Sequence, residues 1–260
     1  MSEVALQARG VSISFGGLKA VSGFDLTLEK GSLQGLIGPN GAGKTTLFNL
    51  VTGVYTPSEG TIHLGSQRID GMRPHQITRR GLARTFQNIR LFPDLRVIDN
   101  VMVAAQTHMK HGLVPTILRT GGYRREQLAI ERRARELLSI FNLQGLAGEQ
   151  AKNLPYGHQR RLEMARALAT DPKVLLLDEP AAGMNPQEKL GLASLIAKLR
   201  KEFDLTILLI EHDMGLVMDI CEQITVLDYG VVIASGPPKK IQNDPRVIEA
   251  YLGTPMTNEE

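Results

Sequence analysis

The sequence predicts an α/β fold built around a mainly parallel sheet. Three observations carry this prediction. The first third has short alternating or apolar runs bounded by glycine, the middle third has helical periodicity, and the last third alternates helix and strand. A β-α-β order makes a parallel sheet with right-handed crossovers.

Taken in order, Phe24-Asp25-Leu26-Thr27-Leu28-Glu29 alternates apolar and polar residues, as a half-buried strand does. Residues 32–37 follow a glycine and run into a glycine-rich turn, and residues 60–65 form a second short alternating strand bounded by glycines. From 124 to 141 the apolar residues Leu128, Ile130, Ala134, Leu137, Leu138 and Phe141 trace one helical stripe. Glu126, Glu131 and Glu136 interleave with the arginines of this segment, so the basic side is read as a solvated helix face. Val174–Leu177 is an apolar run and predicts a buried parallel strand. A helix is expected over 187–203, with Leu192, Leu195, Ile196 and Leu199 on one stripe, and Thr206–Ile210 is the next buried strand. The polar C-terminal tail is expected to fray.

Composition sets the bounds. The chain has 260 residues, 42% hydrophobic, enough for one core plus a smaller lobe. Charged residues make up 22% without a long biased tract, which argues against a disordered chain. The net charge of +3 gives no strong pull toward nucleic acid or an anionic membrane. The single cysteine, Cys221, forms no internal disulfide, fits a reducing compartment and reads as a small core residue. The N-terminus lacks the pattern of a secretion signal. No apolar run approaches the ~20 residues of a membrane span, so work on a membrane would need a membrane part from another chain.

Four motifs carry chemistry. Gly38-Pro39-Asn40-Gly41-Ala42-Gly43-Lys44-Thr45 matches the phosphate-loop pattern G-x-x-x-x-G-K-[ST], between a predicted strand and a predicted helix. Glycines allow the tight turn that wraps backbone N–H groups around a phosphate, and the helix that follows points its positive end at the same anion. Lys44 reaches the β- and γ-phosphates, and the Thr45 hydroxyl can ligand Mg²⁺. Next, Val174-Leu175-Leu176-Leu177-Asp178-Glu179 carries two carboxylates to the end of a buried strand, where ligands sit in open α/β sheets. Asp178 would support Mg²⁺, directly or through water, and Glu179 would act as general base on the attacking water. Third, Glu211-His212 follows the strand Thr206–Ile210; His212 is either structural or a hydrogen-bond donor to the γ-phosphate. Fourth, Asn153-Leu154-Pro155-Tyr156-Gly157-His158-Gln159 reads by itself only as a turn before an amphipathic helix.

The order of these four motifs resembles the ATP-binding-cassette (ABC) family of transporter ATPases, and the resemblance covers nearly the whole chain. It implies a P-loop NTPase core with an N-terminal antiparallel β subdomain and an inserted α-helical subdomain. The implied division is 1–86 and 162–240 for the β subdomain and core, 87–161 for the helical subdomain, and 241–260 for a C-terminal helix and tail. It implies ATP and Mg²⁺ as ligands, with ATP held by Phe15 stacking on adenine, by Gly38 to Thr45 and Thr46, and by Asp178. Thr45, Gln87 and Asp178 would hold the metal, and Glu179, His212 and Gln87 would serve hydrolysis. Pro155, Tyr156, Gly157 and His158 correspond to the signature loop, which touches ATP bound to the partner subunit. Here the pattern departs from the family: proline stands where serine is usual, tyrosine for the first glycine, histidine for glutamine. The resemblance thus implies a weakened, still working, half-site. In the loop after Glu179, Asn185 stands where aspartate is usual.

Finer likeness lies in Phe15-Gly16-Gly17-Leu18-Lys19-Ala20-Val21, Arg84-Thr85-Phe86-Gln87, residues 178–186, Glu211-His212-Asp213-Met214, residues 244–253 and a long helical stretch over 102–140. These resemble the larger ATPase subunit of bacterial branched-chain amino acid importers. The implied partners are a second ABC ATPase subunit (hetero- or homodimer), two transmembrane permeases and, indirectly, a periplasmic amino-acid-binding protein, with no nucleic acid. The implied location is peripheral, on the cytoplasmic face of the bacterial inner membrane. Phe86, Ile89, Leu91 and Phe92 are expected as apolar anchors toward a permease or as core. Lipopolysaccharide extraction, urea or amide import and a non-transport ATPase are the alternatives.

Overall fold

The computed structural model describes residues 3–108 and 121–252. Residues 109–120 of the long helical stretch, and the tail beyond 252, lie outside the described residues. The chain divides into two compact units, Met1–Arg84 with Lys173–Glu260, and Thr85–Pro172.

The first unit holds two sheets. One is antiparallel, in the order β2 (Leu18–Glu29), β1 (Val4–Phe15), β4 (Glu59–Leu64), β5 (Gln67–Arg68). The other runs β10 (Val231–Gly236), β9 (Gln223–Asp228), β3 (Leu33–Ile37), β8 (Thr206–Ile210), β7 (Val174–Asp178), β6 (Leu82–Arg84). Five of its strands are parallel, and only β10 runs against its neighbour. β3, β7 and β8 are buried along their whole length, which explains why they read as apolar runs without alternation. Val11, Phe24, Leu28, Phe48, Ile62, Leu176, Leu208 and Leu227 share one core, so the two sheets are held by the same apolar cluster.

Order and register position the site. β3, β8 and β7 are adjacent, with Leu36 and Asp178 both paired to Ile210. Their C-terminal ends therefore open on one edge of the sheet. The chain leaves β3, β7 and β8 through Gly38, Glu179 and Glu211 respectively. α1 (Lys44–Val51), α6 (Pro186–Glu202) and α7 (Met214–Ile220) follow these three exits. Cys221 is buried just after α7, and burial pushes its thiol up to about 12, so it behaves as a core residue.

The second unit is helical among its described residues. α3 (Val97–Ala105), α4 (Gly121–Ile140) and α5 (Tyr156–Leu168) pack on one another. The predicted stripe of α4 holds for Ile130, Ala134, Leu137, Leu138 and Phe141, which are buried. Leu128 is a correction: it is 62% exposed, because at about 100° per residue it lies on the side of the helix opposite Ile130 and Leu137. Asn100 is wholly buried and pins the segment before α3, accepting from Phe92 N–H at 2.9 Å and donating to Phe92 O at 3.0 Å.

No helix of the described residues is long and apolar enough to cross a membrane.

Candidate active site

The loop after β3 is shaped by glycine. Gly38 has φ +152°, and a Cβ there would sit 2.0 Å from Leu227 O; Gly43 has φ +100°, and its Cβ would sit 2.7 Å from Ala20 O. Neither position admits a side chain. The loop is pinned from behind by Gly230 N–H donating to Ala42 O at 2.9 Å. α1 then begins at Lys44 without an acidic residue in its first turn, leaving its N-terminal dipole for an anion. The buried Lys44 Nζ donates to Gly38 O at 2.7 Å and Pro39 O at 2.8 Å. Burial pushes this ammonium below its ordinary range, and the carboxylates of Glu179 and Asp178 act against that push.

The two carboxylates at the end of β7 have different surroundings. Asp178 is buried, and its Oδ2 accepts from Arg84 Nη2 at 2.7 Å. Arg84 also donates to Asn49 Oδ1 at 2.7 Å and lies over the Phe48 ring at 5.3 Å. Glu179 has φ +45°, a left-handed conformation that costs a non-glycine residue about 1–3 kcal/mol. Its N–H donates to Ile210 O at 2.9 Å, which ties the turn to β8. His212 Nδ1 stands 3.6 Å from Glu179 Oε2 and 3.8 Å from Glu211 Oε2. The His212 side chain is 61% exposed, while Glu211 is wholly buried.

Phe15 ends β1 half-exposed and meets Tyr55 edge-on, with ring centroids 5.1 Å apart at 66°. Asn185 caps α6: its Oδ1 accepts from Glu188 N–H at 3.0 Å, and Glu188 Oε2 accepts from Asn185 N–H at 2.9 Å.

In the helical unit, Pro155 is the N-cap of α5, with φ −54° and ψ 150°, and its carbonyl accepts from His158 and Gln159 N–H at 2.9 and 3.0 Å. Proline there supplies no side-chain cap. Tyr156 Oη accepts from Arg160 Nε at 3.0 Å and Nη2 at 2.8 Å. The buried Arg160 also donates to Phe86 O at 2.7 Å and to Gln87 O, joining the turn before α5 to the Gln87 loop. Buried Glu163 accepts from Phe86 N–H at 3.2 Å and Arg90 N–H at 3.3 Å. His158 Nδ1 is buried with no hydrogen-bond partner among the described residues. Phe86, Ile89 and Leu91 are partly buried and Phe92 is exposed; Arg90 stacks on Phe86 at 4.1 Å and Arg166 on Phe92 at 5.0 Å.

Of the residues singled out in the sequence, Gly38, Lys44, Asp178, Glu179 and His212 thus lie at neighbouring strand ends of the first unit, while Gln87 and Pro155 to His158 belong to the second. Arg84 and Glu211 stood in quoted motifs without an assigned role, and Tyr55 was not singled out. Each carries a side-chain relationship with a residue far away in the chain, or, for Glu211, across two loops.

The residues suit magnesium with a nucleotide better than a metal alone. No group of three or more His, Cys, Asp or Glu able to hold a metal exists among the described residues. Mg²⁺ typically takes one or two carboxylates and completes its shell with phosphates and water. One buried carboxylate beside an anion-binding loop fits that demand.

The model of the ABC transporter family matches residues 21–182, and that of the branched-chain amino acid ATP-binding cassette transporter matches residues 231–256. The high-affinity branched-chain amino acid transport ATP-binding protein LivG of Escherichia coli K12 is 49% identical over 253 residues, covering 97% of this chain and 99% of its own. The corresponding protein BraF of Pseudomonas aeruginosa is 46% identical with the same coverage. The crystal structure of the ADP conformation of an ATP-binding cassette of an ABC transporter superposes with a TM-score of 0.83 at 28% identity, covering 96% of this chain and 99% of its own. With a phosphate loop and two acids at adjacent strand ends and family likeness from end to end, the chain belongs to the ABC transporter family, as one of its nucleotide-binding, ATP-hydrolysing subunits.

Proposed function

We propose that this subunit hydrolyses MgATP to power the import of branched-chain amino acids. The observation that carries the substrate class is the match of residues 231–256 to a branched-chain segment, which lies outside the general cassette.

The roles follow from the site. The loop from Gly38 to Gly43 and the start of α1 bind the phosphates, with Lys44 as a desolvated cation and Thr45 and Thr46 at the helix start. Phe15 offers an exposed π-face to adenine, braced by Tyr55. Thr45, Asp178 and Gln87 would hold magnesium, which when bound supplies charge neutralisation on the phosphates. Glu179, in a left-handed backbone conformation just after β7, takes the proton of the attacking water. His212 donates to the γ-phosphate and stands close enough to Glu179 to share in orienting the water.

Each ATP would be completed in trans by Pro155 to His158 of an opposing ATPase subunit, and the exposed Phe92 with its neighbours would meet a permease. Two permeases and a periplasmic amino-acid-binding protein complete the assembly on the cytoplasmic face of the inner membrane.

The test is a gentle detergent pull-down from the native membrane with partners identified by mass spectrometry, followed by leucine uptake. Two permeases with a second, smaller ATPase, and uptake that fails in the K44M variant, support the reading. Recovery with one ATPase species and lipopolysaccharide-bridge components would overturn the substrate class and leave the ATPase chemistry standing.

A further inference from the structure

We propose that Glu211 is a positioning residue that locks the turn after Glu179 to the loop carrying His212, so that the two hydrolytic side chains move as one body. Glu211 directly follows the last residue of β8 and has no exposed side-chain surface. Its Oε1 accepts from Ala181 N–H at 2.7 Å, two residues past Glu179. Its Oε2 accepts from His212 N–H at 3.2 Å, with Asp213 N–H farther off at 3.5 Å. One carboxylate thus bridges the two loops, using an oxygen for each.

Other side-chain contacts also link the two loops, Lys189 to Asp213 and His212 Nδ1 to Glu179 Oε2 at 3.6 Å, and Glu211 adds a wholly buried carboxylate that bonds backbone N–H groups of both. The backbone bond from Glu179 N–H to Ile210 O fixes only the start of the turn. Asp213 points the other way: it caps α7 through Leu216 N–H at 3.1 Å and pairs with Lys189 of α6. His212 has no such anchor of its own and projects into solvent beside Glu179. Its backbone position therefore depends on the oxygens of Glu211. A buried carboxylate that accepts two backbone N–H groups holds its loops far more tightly than an exposed one. Misplacing a reacting group by about 1 Å can cost 10²-fold in rate, so the rate is where loss of the bridge will register.

This inference rests on Glu179 and His212 being the hydrolytic pair, and the experiment separates the two ideas. Steady-state ATPase is measured on the full-length chain purified within its transporter complex, as the parent, E211Q, E211A, H212A and E211A/H212A. The expected result is a kcat for E211A lowered about 10- to 100-fold with KM within twofold, and a smaller kcat loss for E211Q, which keeps one acceptor. The double variant adds less than threefold to the loss in H212A, because both changes disable one unit. Parental kcat in H212A would remove the histidine assignment itself. A disabled H212A beside parental kcat in E211A would overturn the positioning role alone. Where E211A does not fold, E211Q decides: a lowered kcat with KM and thermal midpoint unchanged supports the bridge. Parental kcat in E211Q, or kcat, KM and midpoint all degraded together, overturns it.

Discussion

Arg84 and Asp178 form a buried ion pair, Nη2 to Oδ2 at 2.7 Å, with side chains 6% and 4% exposed. Removing one partner of such a pair strands the other charge and costs about 3–5 kcal/mol. Arg84→Met is therefore expected to lower the unfolding free energy read from a urea titration by about 3–5 kcal/mol. The double variant with Asp178→Asn should cost clearly less than the two single losses added, since it strands no charge. An Arg84→Met unfolding free energy within about 1 kcal/mol of the parent would mean that the pair contributes nothing net.

Lys44 presents the opposite balance. Its burial opposes the charge, the Glu179 and Asp178 carboxylates act against that push, and its Nζ donates to Gly38 O and Pro39 O. Lys44→Met should leave the stability of the nucleotide-free protein within about 1 kcal/mol of the parent. The stabilisation by ATP should vanish. In the parent, ATP at 100 times its Kd adds about 2.7 kcal/mol. Thermal melts with and without MgATP read both numbers.

Glu211 gives a pH signature in stability. Burial raises its carboxyl above the ordinary value of 4.5, against the opposing pull of the Ala181, Asp213 and His212 N–H groups and of the His212 charge. A folded pKa above the unfolded one means that the folded state holds the proton more tightly. The stability this group contributes is full below 4.5 and is lost as pH rises through the raised folded value. The charged groups facing it are His212, Glu179 beyond it, and Asp213 with its partner Lys189. Glu211→Gln should flatten the fall in unfolding free energy over that window. The comparison is made in a His212→Gln background as well, which removes the imidazole beside the carboxyl. An unchanged slope in both would show that the carboxyl is ionised throughout.

The sequence made some of this legible and not the rest, for physical reasons. Val174–Asp178 and Thr206–Ile210 were readable because a strand buried on both faces must be apolar throughout. Lys44 was readable because a phosphate loop forces a local pattern of glycines. Arg84 and Asp178 are 94 residues apart, and no local rule couples an arginine at one strand end to an acid at another. Glu211 looked like an exit residue of its strand, and only the register of β7 against β8 shows that it faces Ala181. Leu128 misled because an apolar residue near the stripe was counted with it, although the 3.6-residue period turns it to the other side of the helix from Ile130 and Leu137. Asn185 drew notice as a family departure, whereas in the fold its amide closes a capping box that aspartate would close equally well.

Phe15 and Tyr55 form an edge-to-face pair at the surface, and only Phe15 corresponds to an adenine-stacking position. Stacking of a base on an aromatic ring contributes about 1–3 kcal/mol. Phe15→Ala is expected to weaken nucleotide affinity by roughly 5- to 150-fold with a much smaller effect on kcat at saturation. Tyr55→Ala removes only the brace, about 0.5–1.5 kcal/mol of ring–ring contact, and should weaken affinity less. Titration with a fluorescent ATP analogue ranks the two, and equal losses would mean that Tyr55 itself meets the base.

Pro155 tests the signature segment, and two effects must be kept apart. As N-cap of α5 it contributes a carbonyl but no side-chain acceptor. Pro155→Ser adds a capping oxygen worth about 1 kcal/mol to the helix. It also frees the unfolded chain, at a cost of about 0.4–1 kcal/mol, so the stability change should nearly cancel. The functional change should not cancel. A serine hydroxyl at this helix start adds one hydrogen bond to a charged phosphate of the opposing subunit's ATP, about 1–3 kcal/mol, when the dimer closes. The expected outcome is a higher ATPase rate or a lower ATP requirement in the assembled transporter, with the thermal midpoint unchanged. If neither rate nor ATP requirement moves, the half-site is already complete without the hydroxyl. The buried His158 Nδ1, which lacks a partner among the described residues, then becomes the group to substitute next.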